Sequence, residues 1–426
     1  MELTPAWQHA RERSLHYARR DPTQQVLYRI VYHYRQALED CWSERFEHTY
    51  GYLRDEVKES FDNFLNCGIL LHGCARAVCE ACGHSELIPF SCKEKFICAS
   101  CDAKRALLFG EHLHKNVLLP LPHVHQVFSL PKILRPHLKF KRHLIHLLFH
   151  AGWDSWKELI EDALPGCTPA GVMALHTAGD LIHFHPHIHA LALYGGIDQQ
   201  GNFHPLESVN TEYLTNCFCR NMLDALLQAG EVESETANLI RSWAHSGFHA
   251  FVGEPIRGDD AQARQFVARY LKKSAVSDSR LELIETAANV RVRIHKNTMD
   301  CQASRDLDPL EFLAELAAHV PGRREQTVRY MGEYSARSRG AKRLALDTPG
   351  PLPLTEPPQR PSPEWARCIA QVFELDPLTC PKCGGKMHIK AFIHDTKEIR
   401  RIADNLGISA WRAPPPLPAP SLSHVA

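Results

Sequence analysis

His176-Thr-Ala-Gly179-Asp-Leu-Ile-His183-Phe-His185-Pro-His187-Ile-His189-Ala-Leu-Ala-Leu-Tyr194 is the stretch on which the reading of this chain turns. Val172–His176 and Leu181–Tyr194 read as the two strands of a β-hairpin, with Ala178-Gly179-Asp180 as the turn and Gly195-Gly196 ending the pattern. In the second strand histidine alternates with an apolar residue or proline. A strand has a side-chain period of two, so His185, His187 and His189 are expected on one face. Such an alignment rarely serves packing alone, because a buried imidazole needs partners and neutral imidazole is the commonest metal ligand. Three chemistries use such a strand. One is a mononuclear Mg2+ or Mn2+ site on His187 and His189, with His185 or His176 of the neighbouring strand as third ligand. The second is a histidine-triad nucleotide hydrolase, matched by His185, His187 and His189, and the third is a zinc hydrolase.

Outward from this strand, Gln262–Lys273 reads as a helix whose face carries Tyr270 and Lys273, three residues apart. A phenol with a pKa near 10 is a weak nucleophile unless a cation supports it. Val290–His295 alternates as a strand, and Asp308–His319 is an amphipathic helix. Val26, Ile30, Tyr34 and Leu38 give residues 1–66 the spacing of a packing helix. Two basic runs stand out. Lys132–His143 carries Lys132, Arg135, Lys139, Lys141 and Arg142 with no acid, and 323–343 carries Arg323, Arg324, Arg329, Arg337 and Arg339 with Tyr330 and Tyr334 interleaved. Such runs suit phosphates, and the tyrosines suit either stacked bases or, one or both of them, the core.

The chain has 15 Cys and 27 His among 426 residues, and its formal net charge is zero, so any basic footprint is local. No apolar run of roughly 18 residues suggests a membrane span, and the first residues lack a signal-peptide core. The expected location is cytoplasmic, where clustered cysteines point to metal or catalysis rather than disulfides. Cys79-x2-Cys82 and Cys98-x2-Cys101 have the spacing of one structural Zn2+ site, with Cys74, Cys92, Cys67 and His84 near enough in sequence to replace a ligand. A further knuckle, Cys380-x2-Cys383, has Cys368 and His388 as nearby candidates. The expected organisation is a helical region (1–66), a zinc-binding domain (67–105), a catalytic domain (106–345), a Pro-rich linker (346–363), a C-terminal knuckle module (364–411) and a disordered tail (412–426).

Taken in order, these segments resemble the rolling-circle insertion-sequence transposases of the IS91 group, over about Cys67–Gly407. Cys67–Cys101 is similar to that family's zinc-binding domain, HPHIH (185–189) to its His-hydrophobic-His strand, and FVARYLKKSAVSDSRL (266–281) to its tyrosine helix. VRYMGEYSARSRG (328–340) and DPLTCPKCGGKMHIKAFI (376–393) resemble later blocks. The resemblance implies an α+β fold: an HUH-endonuclease-like antiparallel sheet with flanking helices and the histidines on a central strand. It also implies a Tyr270 nucleophile forming a 5′-phosphotyrosine, a catalytic Mg2+ or Mn2+ on the histidines, and single-stranded DNA ends as partner. Two-tyrosine members carry the second tyrosine four residues earlier, where this chain has Phe266, so it resembles the single-tyrosine subgroup. Tyr270 would then act twice, or two self-associated subunits would cooperate. The rivals are a rolling-circle replication initiator, a histidine-triad hydrolase and a non-catalytic zinc DNA-binding protein. The absence of a Gly-x4-Gly-Lys-Ser/Thr loop agrees with chemistry that needs no ATP.

Overall fold

The computed structural model describes residues 21–243, 246–272, 274–286, 289–296, 303–345 and 378–419. The chain divides into two compact units. The first takes the described parts of 1–29, 62–93 and 351–416, and the second those of 30–61, 94–350 and 417–426.

In the first unit, β1 (Cys74–Cys79) and β2 (Ser85–Pro89) form a hairpin. The last described strand, β13 (Met387–Ile393), pairs antiparallel with the free edge of β1, Cys79 opposite Met387 and Cys74 opposite Ile393. Ala77, Ile88, Cys380 and Met387 share one small core, and Leu70, Cys74, Leu87, Ile399 and Ala403 another. The helix Thr396–Asn405 begins where the Asp395 carboxylate accepts from the N–H groups of Lys397 and Glu398. The division into a 67–105 domain and a separate 364–411 module is therefore corrected: the two knuckle segments share one sheet. Strand pairing over so long a sequence separation leaves no local signal.

The second unit is built on a five-stranded antiparallel sheet. Its strands are β3 (His123–Ser129), β4 (Ala170–Ala178), β5 (Phe184–Leu193), β8 (His249–Val252) and β12 (Val328–Gly332), in the order β12-β4-β5-β3-β8. β5 is central and buried on both faces, which is why its second half reads Ala-Leu-Ala-Leu. Phe128, Met173 and Ile188 face a core shared with the helices Ile145–Ala163, Thr211–Gln228 and Ser234–Ser242. Val172, Ala174 and Leu191 face the other core, with Leu113 of Ala99–Asn116 and Ala268 of Ala261–Tyr270. Two accessory sheets complete the unit: β6 (Gly195–Ile197) with β7 (Phe203–Pro205), and β9 (Leu281–Glu285), β10 (Val290–His295) and β11 (Ser304–Leu307).

Several sequence expectations match these elements. The helix Val26–Arg45 buries Ile30, Tyr34 and Leu38, β10 spans Val290–His295, and Pro309–His319 starts from an Asp308–Glu311 capping box. The hairpin differs. β5 starts at Phe184, not Leu181, because Gly179 N–H bonds the His183 carbonyl at 2.9 Å and Ile182 adopts a left-handed φ of 67°. No helix among the described residues is long and apolar enough to cross a membrane.

Candidate active site

Strand register places the histidines. On β4 and β5, His176 stands opposite His187 and Ala174 opposite His189, and directly opposed residues share a face. The ring nitrogens of His176, His187 and His189 lie within 4.8 Å of one another, close enough to share a divalent cation. Three protein ligands leave further coordination positions open, the pattern of catalytic rather than structural sites. His185 is not in this set, and the third imidazole beside His187 and His189 comes from His176 of β4. The register shifts between His176 and Ala178, where Phe184 pairs with Ala178, so His185 and Pro186 together oppose Thr177. This bulge interrupts the two-residue alternation, but the His185 ring still lies 5.0 Å from that of His187 and lines the same cleft. His185 contributes through its backbone: its carbonyl accepts from His187 Nδ1 at 2.6 Å, leaving Nε2 of His187 for an ion. Burial, then His187, then Arg135 push the His185 imidazole down to about 3, so it stays neutral.

His125, on β3, was not singled out from the sequence. It stacks on His189 with ring centroids 5.2 Å apart, and His125 Nε2 and His189 Nδ1 are hydrogen-bonded at 2.9 Å. Such a bond fixes the tautomer and orientation of His189. No local signal marks His125; only pairing of β3 with β5 brings it here.

The helix Ala261–Tyr270 is started by Asp260, whose carboxylate accepts from Ala263 N–H at 2.9 Å. Ala268 and Leu271 are buried against the sheet. That packing leaves Tyr270, 38% exposed, at the helix C-terminus over the histidines. Its ring centroid lies 5.3 Å from that of His189 and 6.1 Å from that of His176. The Leu271 carbonyl meets His176 Nε2 at 3.3 Å. The sequence-predicted pair of Tyr270 with the His strand is thus brought together. Lys273 lies outside the described residues. Lys272 turns elsewhere, its ammonium 3.4 Å from Thr327 Oγ1 and over the Phe109 ring.

Tyr270, His176, His187 and His189 line a cleft of about 300 Å3, together with Ser129, Asp180 and Arg280. Burial, and then the Asp180 carboxylate, raise the Tyr270 phenol above its ordinary range. Arg280 supplies a cation to the cleft wall. Its guanidinium donates to the His295 carbonyl at 2.9 Å and to the Asp180 carbonyl. A second cleft of about 410 Å3 is lined by Tyr50, Lys132, Arg135, Lys139, His183 and Phe184. Glu315 also borders it, but its carboxylate is held by Arg305 at 2.6 and 2.8 Å. Arg135 donates to the Leu130 carbonyl, so its charge is not cancelled there.

The basic residues of 323–343 have varied surroundings. Arg323 is paired with Glu59 at 2.6 Å, Arg329 lies over the Phe149 ring, and Arg339 lies over the Tyr330 ring. Arg324 and Arg337 are exposed. Tyr334 is 2% exposed, and its hydroxyl bonds His123 Nε2 at 2.7 Å and accepts from Leu119 N–H at 3.1 Å. Of the two roles open to Tyr334, it takes the core one and not base stacking. In the other basic run, Lys141 is committed to Glu231 and Arg142 to Glu325.

The cysteines also regroup. Cys79 and Cys82 join Cys380 and Cys383, all four sulfurs lying within 4.8 Å of one another, whereas Cys98 and Cys101 fall in the second unit at the start of helix Ala99–Asn116. The expected Cys79-Cys82-Cys98-Cys101 site is corrected accordingly. Cys74 is a core residue whose thiol burial pushes up to about 11. Cys92 donates its N–H to Cys67 Sγ, and His84 and His388 face Glu86 and Glu80 instead of the sulfurs. Cys368 lies outside the described residues. Backbone N–H groups, of Cys82 first and also Ala81, hold the Cys79 thiol down at about 7. Gly385 N–H pulls Cys383 the same way, yet the Cys82 and Cys79 sulfurs together push it up to about 12. Four sulfurs this close cannot all ionise unaided, and a divalent cation removes the conflict.

Comparison with known proteins finds matches along most of the chain. Residues 171–342 match a family model described as "Putative transposase", and residues 37–130 match one described as "Transposase zinc-binding domain". The chain is 27% identical over 377 residues to the "Transposase for insertion sequence element IS801" of Pseudomonas savastanoi pv. phaseolicola, covering 83% of this chain and 87% of that one. It is 24% identical over 344 residues to the "Putative transposase y4qJ" of Sinorhizobium fredii, covering 74% of this chain and 84% of that one. No solved structure matches. The zinc-binding domain match and the cysteine clusters both fit structural zinc. With both family models in chain order and relatives aligned along most of its length, the chain belongs to the IS91-like family of insertion-sequence transposases.

Proposed function

We propose that this transposase cuts and rejoins single DNA strands, with Tyr270 as nucleophile and His176, His187 and His189 as ligands of a divalent cation, Mg2+ or Mn2+. The observation that carries the reading is the Tyr270 ring 5.3 Å from His189, beside three imidazoles whose nitrogens lie within 4.8 Å of one another. When bound, such a cation polarises a phosphate and offsets the charge that develops on it. Tyr270 Oη attacks the scissile phosphorus, and its proton leaves to solvent. The bond from phosphorus to the 3′ oxygen breaks, and that oxygen takes up a proton to become a free 3′-hydroxyl. The phosphate stays on the ring as a 5′-phosphotyrosine. One phosphodiester is exchanged for another, so a later 3′-hydroxyl can reverse the exchange and join strands without ATP.

The surroundings suit these steps. Burial and Asp180 raise the phenol above its ordinary range, and a cation on the neighbouring imidazoles would offset this by favouring the phenolate. Arg280 lines the same cleft and opposes the negative charge of the strand. The cleft of Lys132, Arg135 and Lys139, with Tyr50 and Phe184 beside them, suits a neighbouring nucleotide, its phosphate on the cations and its base on a ring. One tyrosine allows one link per subunit at a time, so strand exchange needs Tyr270 twice in succession or a second subunit.

The test is to incubate labelled single strands of the DNA flanking the gene with the protein and Mn2+. A covalent protein–DNA band is expected on a denaturing gel, with the DNA mapped by mass spectrometry to the peptide holding Tyr270. An adduct that survives in Tyr270→Phe would overturn the assignment.

A further inference from the structure

We infer that Cys79, Cys82, Cys380 and Cys383 hold a single Zn2+ between them, so that one metal site is assembled from two knuckles near opposite ends of the chain. The proposal does not rest on the DNA chemistry above. The model matching the zinc-binding domain covers residues 37–130, so half of these ligands lie outside it.

Distances favour an ion over a covalent bond. Cys79 Sγ lies 3.6 Å from Cys383 Sγ, and Cys82 Sγ lies 3.7 Å from Cys380 Sγ. A Zn–S bond of ~2.3 Å in a tetrahedron gives sulfur–sulfur edges of roughly 3.8 Å. A disulfide would need ~2.05 Å.

The backbone makes the same turn twice. Gly83 N–H bonds the Cys79 carbonyl at 3.0 Å, and Gly384 N–H bonds the Cys380 carbonyl at 2.9 Å. Cys79 N–H bonds the His84 carbonyl and Cys380 N–H the Gly385 carbonyl, both at 2.8 Å. Gly83 and Gly384 have left-handed φ of 71° and 72°, a conformation in which a Cβ is costly. Each turn aims two sulfurs inward, and pairing of β1 with β13 sets the turns face to face. Gly385 completes the cradle: a Cβ there would sit 3.2 Å from the sulfurs of both Cys79 and Cys383. An all-thiolate set selects zinc over the hard cations that suit the histidine cleft.

The test measures metal content in the full-length protein. Cys79→Ser/Cys82→Ser and Cys380→Ser/Cys383→Ser should each lose one zinc equivalent relative to the unaltered protein, and the quadruple variant should also lose one, not two. Because serine variants can misfold, two further measurements stand beside them. Cys383→His, which keeps a Cys3His set, should retain the ion. Co2+ loaded into the unaltered protein should show sulfur-to-cobalt charge transfer, and this band should weaken and shift in Cys383→His. Full zinc in Cys380→Ser/Cys383→Ser would restore the pairing of Cys79 and Cys82 with Cys98 and Cys101 and overturn the proposal. Loss of two equivalents in the quadruple variant, or an unshifted cobalt spectrum in Cys383→His, would overturn it as well.

Discussion

Cys79, Cys82, Cys380 and Cys383 come from two tight turns, with 298 residues separating Cys82 from Cys380, and present four soft sulfurs. His176, His187 and His189 come from two adjoining strands and present three nitrogens at the wall of a cleft. The first set closes a coordination sphere, and the second leaves one open beside a tyrosine. Ligand number and type thus separate the proposed structural cluster from the proposed catalytic one. Both sit on antiparallel sheets, so the difference lies in what the strands carry rather than in the architecture.

The largest expected effect breaks this comparison in one step. His187→Ala combined with His189→Ala should lower Mn2+-dependent strand cleavage by about 10³-fold, roughly 4 kcal/mol of transition-state stabilisation. The melting temperature and zinc content should stay near those of the unaltered protein. Cysteine variants should show the reverse order, with stability falling first. Equal damage to stability from both kinds of variant would erase the distinction. A brief EDTA treatment sharpens it, since cleavage should stop before zinc is lost.

Acid tests the frame around the histidines. His319 is fully buried, its Nε2 donating to the Ile182 carbonyl at 2.7 Å and its Nδ1 accepting from Thr177 Oγ1 at 3.0 Å. Burial lowers its pKa to about 4. The folded value lies below the unfolded one, so the contribution is complete above pH ~6.5 and is lost as pH falls through about 4. The shift corresponds to about 3 kcal/mol. Urea midpoints at pH 7 and pH 4.5 should show the decline, and His319→Gln should flatten it. An unchanged slope in that variant would remove His319 as its source.

A smaller effect concerns His125. His125→Ala should weaken Mn2+ affinity at the histidine site by about 10- to 100-fold while leaving DNA binding intact, as expected when an orienting partner is removed. Added imidazole or higher Mn2+ should recover part of the cleavage. Unaltered Mn2+ dependence would leave the contact to His189 as packing. The smallest effect is electrostatic. Lys132→Ala with Arg135→Ala should reduce the salt slope of single-strand binding by about 1.4, at ~0.7 per phosphate contact. An unchanged slope would place the strand elsewhere.

The sequence carried the alternation of HPHIH, the helix bearing Tyr270 and the four cysteine knuckle positions in plain view, because periodicity and spacing are local. Choosing His176 over His185 needed the bulge that sets His185 and Pro186 against Thr177, which no alternation pattern reveals. His125 needed strand order. Cys380 and Cys383 were visible as a knuckle, but their partners were not, since Cys98 and Cys101 were nearer in sequence and equally well spaced. Tyr334 suited either a base-stacking surface or the core on sequence alone, and the bond to His123 places it inside. Long-range pairing accounts for most of what the sequence concealed.

A shared thiolate cluster has a consequence during synthesis. Cys82 leaves the ribosome 298 residues ahead of Cys380. At about 5–20 residues per second, that separation is roughly 15–60 s. For that interval the first two thiols wait without their partners, open to oxidation or to a wrong metal. A chain cut short anywhere before Cys383 can never close the cluster, so a bound ion would mark a polypeptide that has passed that residue.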